Sequence, residues 1–512
     1  MKADLKVTVS SPDIPLLNSI KPVGLTLSYG INELPTSSLD LSTEDMALFC
    51  DYTAWKRKPI KVIVFSKNGC LQFDGLADGL STSCSVGSMS TQLVIKHPFQ
   101  ILFETYPRTP GFHPGSEDIL NMTPVMSFKN AGNNWFLNLY GTGVPTYKQN
   151  PIKYVIDLAI FMLENQQRAV NAYKPRTNAN FRLASVIAAV SEYTPALFKK
   201  SIALLNSIDT TRTDGMNFIS NGNHANVLIS IFSNLAENTS SVLDFVISGI
   251  KLFKCNLIIA FDKAYTVPNA GFLIQEANTN IVGKSTTPNI AYPADYSSYQ
   301  FSDNGFKDIK GVYVYGAATG MAYGRSVPSI GEGAWVDPDP LVKGGIAMAN
   351  IPLFSFYAFD SSASTAQVTT PPTGAVVPGA AAVKGVSEQT QATRDATSQE
   401  FYDNWAQMTY FELKYMDRTG SLNSMFNPRW APGAVGTIYT KQPGAFIDMF
   451  VTGVTHTFSI SAPNTGIAST SVSFTCGRFG KSRTGMSSIR LFKFDAGSSL
   501  AYAADFVNNI SI

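Results

Sequence analysis

Four patterns in the sequence have residue types that could carry chemistry, and the first resembles a phosphate-binding loop. Ile281-Val-Gly-Lys-Ser-Thr-Thr287 contains Gly-Lys-Ser-Thr, but a phosphate-cradling loop needs a second glycine five positions before Gly283, where Asn278 stands. Pro288 also follows too soon for the helix that such a loop opens. The sequence therefore predicts a polar turn here.

The second and third patterns involve histidine. The four histidines, His97, His113, His224 and His456, lie far apart, and neither His-x-x-x-His nor Cys-x-x-Cys occurs, so the common zinc spacings are absent. His456 lies in an alternating strand pattern, which favours a hydrogen-bonded structural histidine over a ligand or a base. A nucleophilic pair of Cys50 with His113 is the alternative, although nothing nearby marks either residue as activated.

The fourth pattern is acidic, and a basic cluster accompanies it. Asp337-Pro-Asp339-Pro lacks the glycine turn and closing Glu of a calcium loop, so a solvated turn is expected. Lys56-Arg-Lys58 precedes a predicted strand and is expected to guard an exposed sheet edge, with an interface contact as the alternative. We therefore assign no catalytic, cofactor-binding or metal residue, and we expect neither a cofactor nor an enzyme.

The composition indicates a chain that is buried in an assembly. Hydrophobic residues make up 45% of the 512 residues and charged residues only 15%, against about 25% in typical soluble proteins. A loop-rich protein with a Ser/Thr surface is the alternative. The net charge of +2 gives no electrostatic reason to expect nucleic acid or an acidic membrane as a partner.

Targeting and redox signals are weak. Charges within the first six residues argue against a secretion signal, and Asp244, Lys251 and Lys254 interrupt the most apolar stretch, 242–261, so no membrane span is expected. Five cysteines at wide spacings favour buried free thiols in a reducing cytoplasm over a disulfide framework.

Strand patterns dominate both ends of the chain. Leu25, Leu27 and Tyr29 alternate with small polar residues, and Lys61-Val-Ile-Val-Phe-Ser66 is followed by the hairpin signal Asn68-Gly69. Such short strands with tight turns predict a small antiparallel barrel or sandwich. Alternation returns at 446–461 and 470–476.

Helical patterns occupy the middle. Ile152, Val155, Ile156, Ala159, Ile160 and Leu163 share one helical face. Thr194-Pro195 predicts a helix through Ile208. Val227 to Leu235 and Ser240 to Phe253 predict two more helices, and Cys255 to Phe261 predicts a strand. A further helix is expected after residue 397, with Gly420 as its C-cap.

A short internal repeat relates the two β regions. Gly87-Ser-Met-Ser-Thr91 and Gly466-Ile-Ala-Ser-Thr470 both read Gly-x-x-Ser-Thr and both lead into an alternating apolar strand. Chance similarity between two hairpins is the alternative. If the repeat is genuine, the chain carries two copies of one barrel, and a trimer would present six similar barrels in a ring.

These patterns predict an α+β, mainly β fold with two similar antiparallel β-barrel domains and an α-rich domain between them. The predicted divisions are 1–120 for the first tube-like barrel, 121–300 for the α-rich domain, 301–360 with 430–485 for the second barrel, 361–397 for a flexible Ala/Gly/Pro/Ser/Thr-rich loop, 398–429 for a helix and connecting turn, and 486–512 for a C-terminal arm.

The chain resembles the baseplate hub proteins of contractile phage tails and the related spike proteins of type VI secretion. The resemblance rests on Leu25 to Tyr29 with Ile60 to Ile95, on Phe426-Asn-Pro-Arg-Trp-Ala-Pro-Gly433, and on Gly453-Val-Thr-His-Thr-Phe458 with Ser469 to Phe474. It covers about half of the chain, and the helical stretch at 150–260 departs from it.

The resemblance implies a structural role at the tip of a viral tail. Hub proteins form a homotrimeric, pseudo-hexameric collar that joins the hexameric tail tube to the trimeric central spike, contacts other baseplate proteins and lines the delivery channel. Such a protein would be part of the virion after assembly in the host cytoplasm, without sequence-specific nucleic-acid binding. A tail-associated peptidoglycan or glycan hydrolase is the alternative, and a receptor-binding adhesin is a third possibility.

Overall fold

The computed structural model describes residues 3–41, 55–105, 152–167, 195–213, 240–269, 289–350, 402–413, 418–480, 492–494 and 500–502, with gaps of one to five residues inside several of these ranges. Strands predominate. The strands are β1 Ala3–Ser10, β2 Pro22–Gly30, β3 Thr36–Leu41, β4 Pro59–Ser66, β5 Gly69–Ser85, β6 Ser88–Lys96, β7 Ile208–Asp209, β8 Cys255–Ile259, β9 Ala264–Pro268, β10 Asn289–Ala291, β11 Tyr296–Asp303, β12 Ile309–Ala322, β13 Arg325–Val336, β14 Gly345–Asn350, β15 Arg418–Met425, β16 Val435–Tyr439, β17 Phe446–Ala462, β18 Thr465–Gly480, β19 Phe492–Phe494 and β20 Leu500–Tyr502.

The helical elements are fewer and shorter. The α-helices are α1 Gln100–Glu104, α2 Pro195–Asn206 and α3 Val242–Leu252, and 3-10 turns lie at Pro15–Ser19 and Thr211–Thr213. Further helical residues lie within 152–167 and 402–413. The mainly β character that the sequence predicts is therefore confirmed.

One 12-stranded sheet contains two sets of six strands with the same internal order. The N-terminal set is ordered β1-β4-β5-β6-β3-β2, and the C-terminal set is ordered β10-β16-β17-β18-β15-β11. All pairings within the sheet are antiparallel except β10 with β16. The sheet is thus built from both ends of the chain, and each end repeats the same strand order.

The two sets match in detail at their long hairpins. β5 and β17 each have 17 residues. The pairing of β5 with β6 has one register shift and that of β17 with β18 has three, and one of these bulges lies at the same distance from the repeated threonine, Thr91 or Thr470, in each hairpin. Ala77↔Ile95 and Gly79↔Val94 flank this bulge in the first hairpin, just as Val451↔Phe474 and Gly453↔Ser473 flank it in the second. A bulge at a fixed register is a specific structural feature, so it supports a true duplication.

A matching turn precedes each hairpin's partner strand. Arg57 (φ 64°) and Gly433 (φ 74°) both have left-handed backbones. The Arg57 N–H donates to Ala77 O at 2.7 Å, and the Gly433 N–H donates to Val451 O at 2.8 Å. Both acceptors are the residue just before the bulge, so turn and bulge form one hydrogen-bonded unit in each set.

The repeated sequence segments lie in like surroundings. β6 is paired between β5 and β3, and β18 is paired between β17 and β15. The repeated threonines Thr91 and Thr470 are both buried, as are Leu93 with Val472 and Ile95 with Phe474, the apolar positions that follow. The repeat that the sequence indicates therefore corresponds to equivalent strands.

Several sequence-predicted elements are confirmed. Lys67 and Asn68 form the two-residue turn between β4 and β5, next to the predicted Asn68-Gly69 signal, and Gly69 has φ 143°. Ser241 caps α3 by accepting from the Asp244 N–H at 3.1 Å. The described members of the predicted helical face at 152–163 are buried, apart from half-buried Ile160. The predicted helix at 227–235 and the tract at 361–397 lie outside the described residues.

Two expectations are wrong because alternation does not reveal which strands pair. Gly420 lies inside β15 and is not a helix cap. Lys56-Arg-Lys58 does not guard a sheet edge, because β4 is paired on both sides, with β1 and β5. Residues 309–350 form a separate three-stranded sheet, β13-β12-β14, whereas β11 and β15 complete the C-terminal set.

The matched turns allow a test of the duplication. Gly433→Ala should lower the free energy of unfolding by about 1 to 2 kcal/mol, because φ is positive and the new methyl group would crowd Ile258 and Val267 at 3.0–3.3 Å. Arg57→Gly, at the equivalent position, should leave stability equal or raise it slightly. Denaturant midpoints of the two variants measure the difference, and a loss of stability in both would contradict the assignment.

Candidate functional site: the inserted hairpin

The outer half of the β17–β18 hairpin lies between the two outer strands of the N-terminal set. β17 pairs with β2 from Gly453↔Gly30 to Ser459↔Gly24, and β18 pairs with β1 at Gly466↔Ala3. The strand pairing consequently runs from β17 through the whole N-terminal set to β18, which pairs again with β17. One hairpin therefore joins the two sets and fills both outer edges of the first.

Residues 426–433, which we call the junction segment, connect the inserted hairpin to the rest of the fold by hydrogen bonds. Asn68 Nδ2, in the β4–β5 turn, donates to Phe426 O at 2.8 Å. Tyr29 Oη of β2 donates to the Trp430 carbonyl at 2.6 Å, and Tyr265 Oη of β9 donates to the Pro432 carbonyl at 3.1 Å. The segment is thus bound by the N-terminal set and by the small β7-β9-β8 sheet. Its sequence is one on which the hub resemblance rests.

A row of aromatic rings crosses the shared core. The rings follow one another with centroid separations of 4.4–6.4 Å in the order His97, Phe73, Phe261, Tyr29, His456, Phe426 and Phe458. The row begins in the N-terminal set and ends on the inserted hairpin. Such ring pairs contribute about 0.5–1.5 kcal/mol each beyond their area burial, so the row stabilises the junction.

His456 lies at the centre of the junction and is fully buried. Its Nδ1 lies 2.9 Å from Thr470 Oγ1, which also accepts from the Asn427 N–H at 3.1 Å, while Nε2 has no hydrogen-bond partner among the described residues. Burial lowers the pKa of His456 to about 4. The imidazole is therefore neutral near pH 7, as expected for a structural histidine.

His97 occupies the other end of the aromatic row and is also buried. Its Nδ1 accepts from the Phe99 N–H at 3.2 Å. Burial lowers its pKa to about 4, against the smaller raising effects of a hydrogen bond to the Phe261 backbone and of the Asp74 charge. Both described histidines thus serve packing in a neutral form.

The opposite face of the same strands carries hydroxyl groups. Directly paired residues share a sheet face, so the register defines two rows that cross β18, β17, β2 and β3. The rows are Ser469–Thr457–Thr26–Ser38 and Ser471–Thr455–Ser28–Thr36. All eight side chains are exposed or half-buried, and Ser28 Oγ lies 3.1 Å from Thr455 Oγ1. We call this surface the hydroxyl face. Neither row contains a charge across these four strands, and the first charge beyond them is Lys96 of β6, which pairs with Thr36.

The other candidate residues of the sequence are not brought together. His113, His224, Cys50, Asp339 and 281–287 lie outside the described residues. The expected solvated turn is wrong at Asp337, whose side chain is buried and accepts a hydrogen bond from Tyr410 Oη. The proline that follows Asp337 in the sequence carries no signal for burial, which is why the sequence pattern missed this contact.

The described residues include two free cysteines, Cys70 and Cys255. Cys255 is a buried free thiol whose pKa is raised by burial and by the nearby Glu412 charge, whereas free Cys70 is exposed, contrary to the expectation of buried thiols. In this part of the chain no three His, Cys, Asp or Glu side chains group as metal ligands. None of its helices has the length and apolar character needed to cross a bilayer.

The chain aligns over most of its length with solved structures of tail proteins and of a secretion-system component. The tail protein from Neisseria meningitidis MC58 aligns with a TM-score of 0.40 at 8% identity, over 92% of this chain and 96% of that one. The 43 kDa tail protein of prophage MuSo2 from Shewanella oneidensis gives 0.41 at 7%, over 92% and 98%. An E. coli component of the type VI secretion system gives 0.35 at 6%, over 92% and 76%.

No family model matches the chain, and no curated protein does. Because the three TM-scores are below 0.5, we base the functional proposal on strand pairing, burial and surface chemistry.

The buried histidines predict acid sensitivity. Their folded pKa values of about 4 lie below the ordinary 6.5, so the unfolded chain binds more protons between these values and stability falls as the pH drops from 6.5 to 4. Each imidazole accounts for on the order of 3 kcal/mol of this loss. Thermal unfolding at pH 7.5, 6, 5 and 4.5 measures it.

His456→Gln and His97→Gln provide the matched variants for that series. Each should flatten the fall in Tm with pH in part, and the double variant should flatten it further. A pH dependence that is identical in all four proteins would contradict the role given to the two imidazoles.

Proposed function

We propose that the protein is a non-enzymatic structural hub of a phage tail baseplate. In this proposal three chains form a pseudo-hexameric collar, each chain supplying two tube-like barrels built from its two strand sets. The collar joins the hexameric tail tube to the trimeric central spike, and the delivered genome passes through its channel.

The observation that carries the proposal is the repeated strand set within one chain. Two sets with the same strand order, the same bulge and the same turn make one polypeptide a pseudo-dimer. Three pseudo-dimers arranged by rotation make a ring of six similar units. Such a ring suits a partner with sixfold symmetry on one side and a partner with threefold symmetry on the other.

The hydroxyl face supports the proposed channel. Its two rows cross strands of both sets without interruption, and the side chains are small, polar and uncharged. Lys and Arg side chains would bind the phosphates of a passing nucleic acid strongly, because each neutralised phosphate releases counterions. A surface of serine and threonine lets a polyanion pass without being held.

The low charge of the chain supports a role inside an assembly. Only 15% of residues are charged, and large hydrophobic side chains are exposed on the described surface, among them Ile467, Met425, Ile346 and Met348. Obligate interfaces are large and comparatively apolar. Contact with tube, spike and other baseplate proteins would cover such positions.

Light scattering on the purified chain tests the proposal. We expect a mass of three chains, with particles that show a central channel when viewed along their axis by electron microscopy. Added tail tube protein and spike protein should bind to opposite faces of the ring. A chain that stays monomeric at every concentration and binds neither partner would contradict the proposal.

A further inference from the structure

The two strand sets differ in the pairing of one outer edge. In the N-terminal set, the outer edge of β2 is filled by β17 from the inserted hairpin. In the C-terminal set, the strand equivalent to β2 is β11, which pairs with β15, and no strand among the described residues lies on its other side. The same edge is thus filled in one set and open in the other.

The β5–β6 hairpin, which is equivalent to the inserted β17–β18 hairpin, is less buried on its inward face. On β17 the inward side chains Val454, His456 and Phe458 lie in the outer half of the hairpin, and all three are buried. On β5 the equivalents of Val454 and His456 are Leu80, which is half-buried, and Thr82, which is exposed. The outer half of the β5–β6 hairpin therefore projects beyond the core that its counterpart helps to enclose.

The open edge of β11 shows the complementary difference. Leu25 on β2 pairs with Leu39, and Tyr299 on β11 pairs with Leu422 at the equivalent place. Leu25 is 1% exposed, whereas Tyr299 is 37% exposed. An aromatic side chain thus remains in solvent at the position that the inserted hairpin covers in the other set.

We infer that the outer half of the β5–β6 hairpin of one chain inserts beside β11 of a second copy, as β17–β18 inserts beside β2 within one chain. This inference rests on the proposed trimer and specifies its interface. Joints within chains and between chains would then alternate around the ring. An exposed strand edge can pair with unrelated chains. In the proposed ring, the open edge of β11 would pair with the projecting hairpin of the neighbouring chain.

The internal joint fixes the register of the joint between chains. Thr457 pairs with Thr26 in the internal joint, and their equivalents by strand and bulge position are Ser83 and Gln300. We therefore expect Ser83 of one chain opposite Gln300 of the next, in antiparallel pairing. This expected register applies to the pairing beside β11, the counterpart of β2. We do not extend it to β10, the counterpart of β1, because β10 pairs in parallel with β16 whereas β1 pairs antiparallel with β4.

Disulfide trapping tests this register. In a background with Cys70 and Cys84 replaced by serine, Ser83→Cys with Gln300→Cys should give covalent dimers and trimers on a non-reducing gel after mild oxidation. Directly opposed strand residues have Cα atoms about 4.5–5.5 Å apart, which suits a disulfide. Thr457→Cys with Thr26→Cys, in the internal joint, should form its disulfide within one chain and serves as the positive control.

A second pair controls for unspecific cross-linking. Gln300 pairs with Ser421 on β15, one strand further from the expected hairpin. Ser83→Cys with Ser421→Cys places the two Cα atoms about 10 Å apart, too far for a disulfide, so this pair should remain monomeric on the gel. Equal cross-linking of both pairs would overturn the register.

Light scattering on the same variants separates this inference from the proposed function. A trimer of the Ser83→Cys, Gln300→Cys variant whose two introduced thiols do not cross-link would overturn the hairpin insertion and leave the trimeric hub standing. A chain that never associates would overturn both.

Charge substitution gives an independent test. Thr82→Lys places a charge on the inward face of the projecting hairpin and should lower the trimer fraction at fixed concentration at least tenfold. Gln72→Lys changes an exposed residue of the same strand outside the projecting half and should leave the trimer fraction unchanged. Equal trimer fractions in the two variants would overturn the inference.

Discussion

Every β-sheet must satisfy the hydrogen-bonding groups at its two edges, and this requirement organises the whole molecule. The N-terminal set has β1 and β2 at its edges, and one hairpin from the other end of the chain pairs with both. The pairing brings residues that are more than 400 positions apart into one core, as in the hydrogen bond of Tyr29 to Trp430. Removing the hairpin would expose two edges and the aromatic row together, so the two ends of the chain depend on each other for stability.

The junction includes a polar group at a position where an apolar side chain would pack more simply. His456 has lost its hydration, and only one ring nitrogen has a described partner. Burying such a group costs free energy, but its bond to Thr470 occurs only when β17 and β18 are in the correct register. A slip of one residue would turn the imidazole to the hydroxyl face and bring a neighbouring threonine into the core. The histidine thus favours one register of β17, the strand that pairs with β16, β18 and β2.

The sequence was sufficient for the local elements and insufficient for their partners. Alternation located β2, β17 and β18, the run Lys61 to Ser66 located β4, and the helix patterns at Pro195 and at Ser240 to Phe253 placed α2 and α3. The pairing of β2 with β17 could not be predicted, because strand periodicity says which face is buried and not which strand lies beside it. The strongest sign of duplication, the left-handed turn, was hidden because Arg57 occupies the place where its counterpart is Gly433. A glycine at both position 57 and position 433 would have given the sequence a second repeated motif beside Gly-x-x-Ser-Thr.

In the proposed trimer, the divergence of the two hairpins follows from the surroundings that each has before assembly. The outer half of β17–β18 is buried as soon as the chain folds, so it can carry Val454, Phe458 and other apolar side chains without exposing them. The outer half of β5–β6 faces solvent in a single chain and carries Ser81, Thr82 and Ser83 at exposed positions. Long, apolar, exposed edges aggregate, so an element that waits for a second chain must be more polar than one that is covered at once. Two copies of one hairpin thus have different surfaces, and under the proposed insertion the difference in polarity would distinguish the internal joint from the joint between chains.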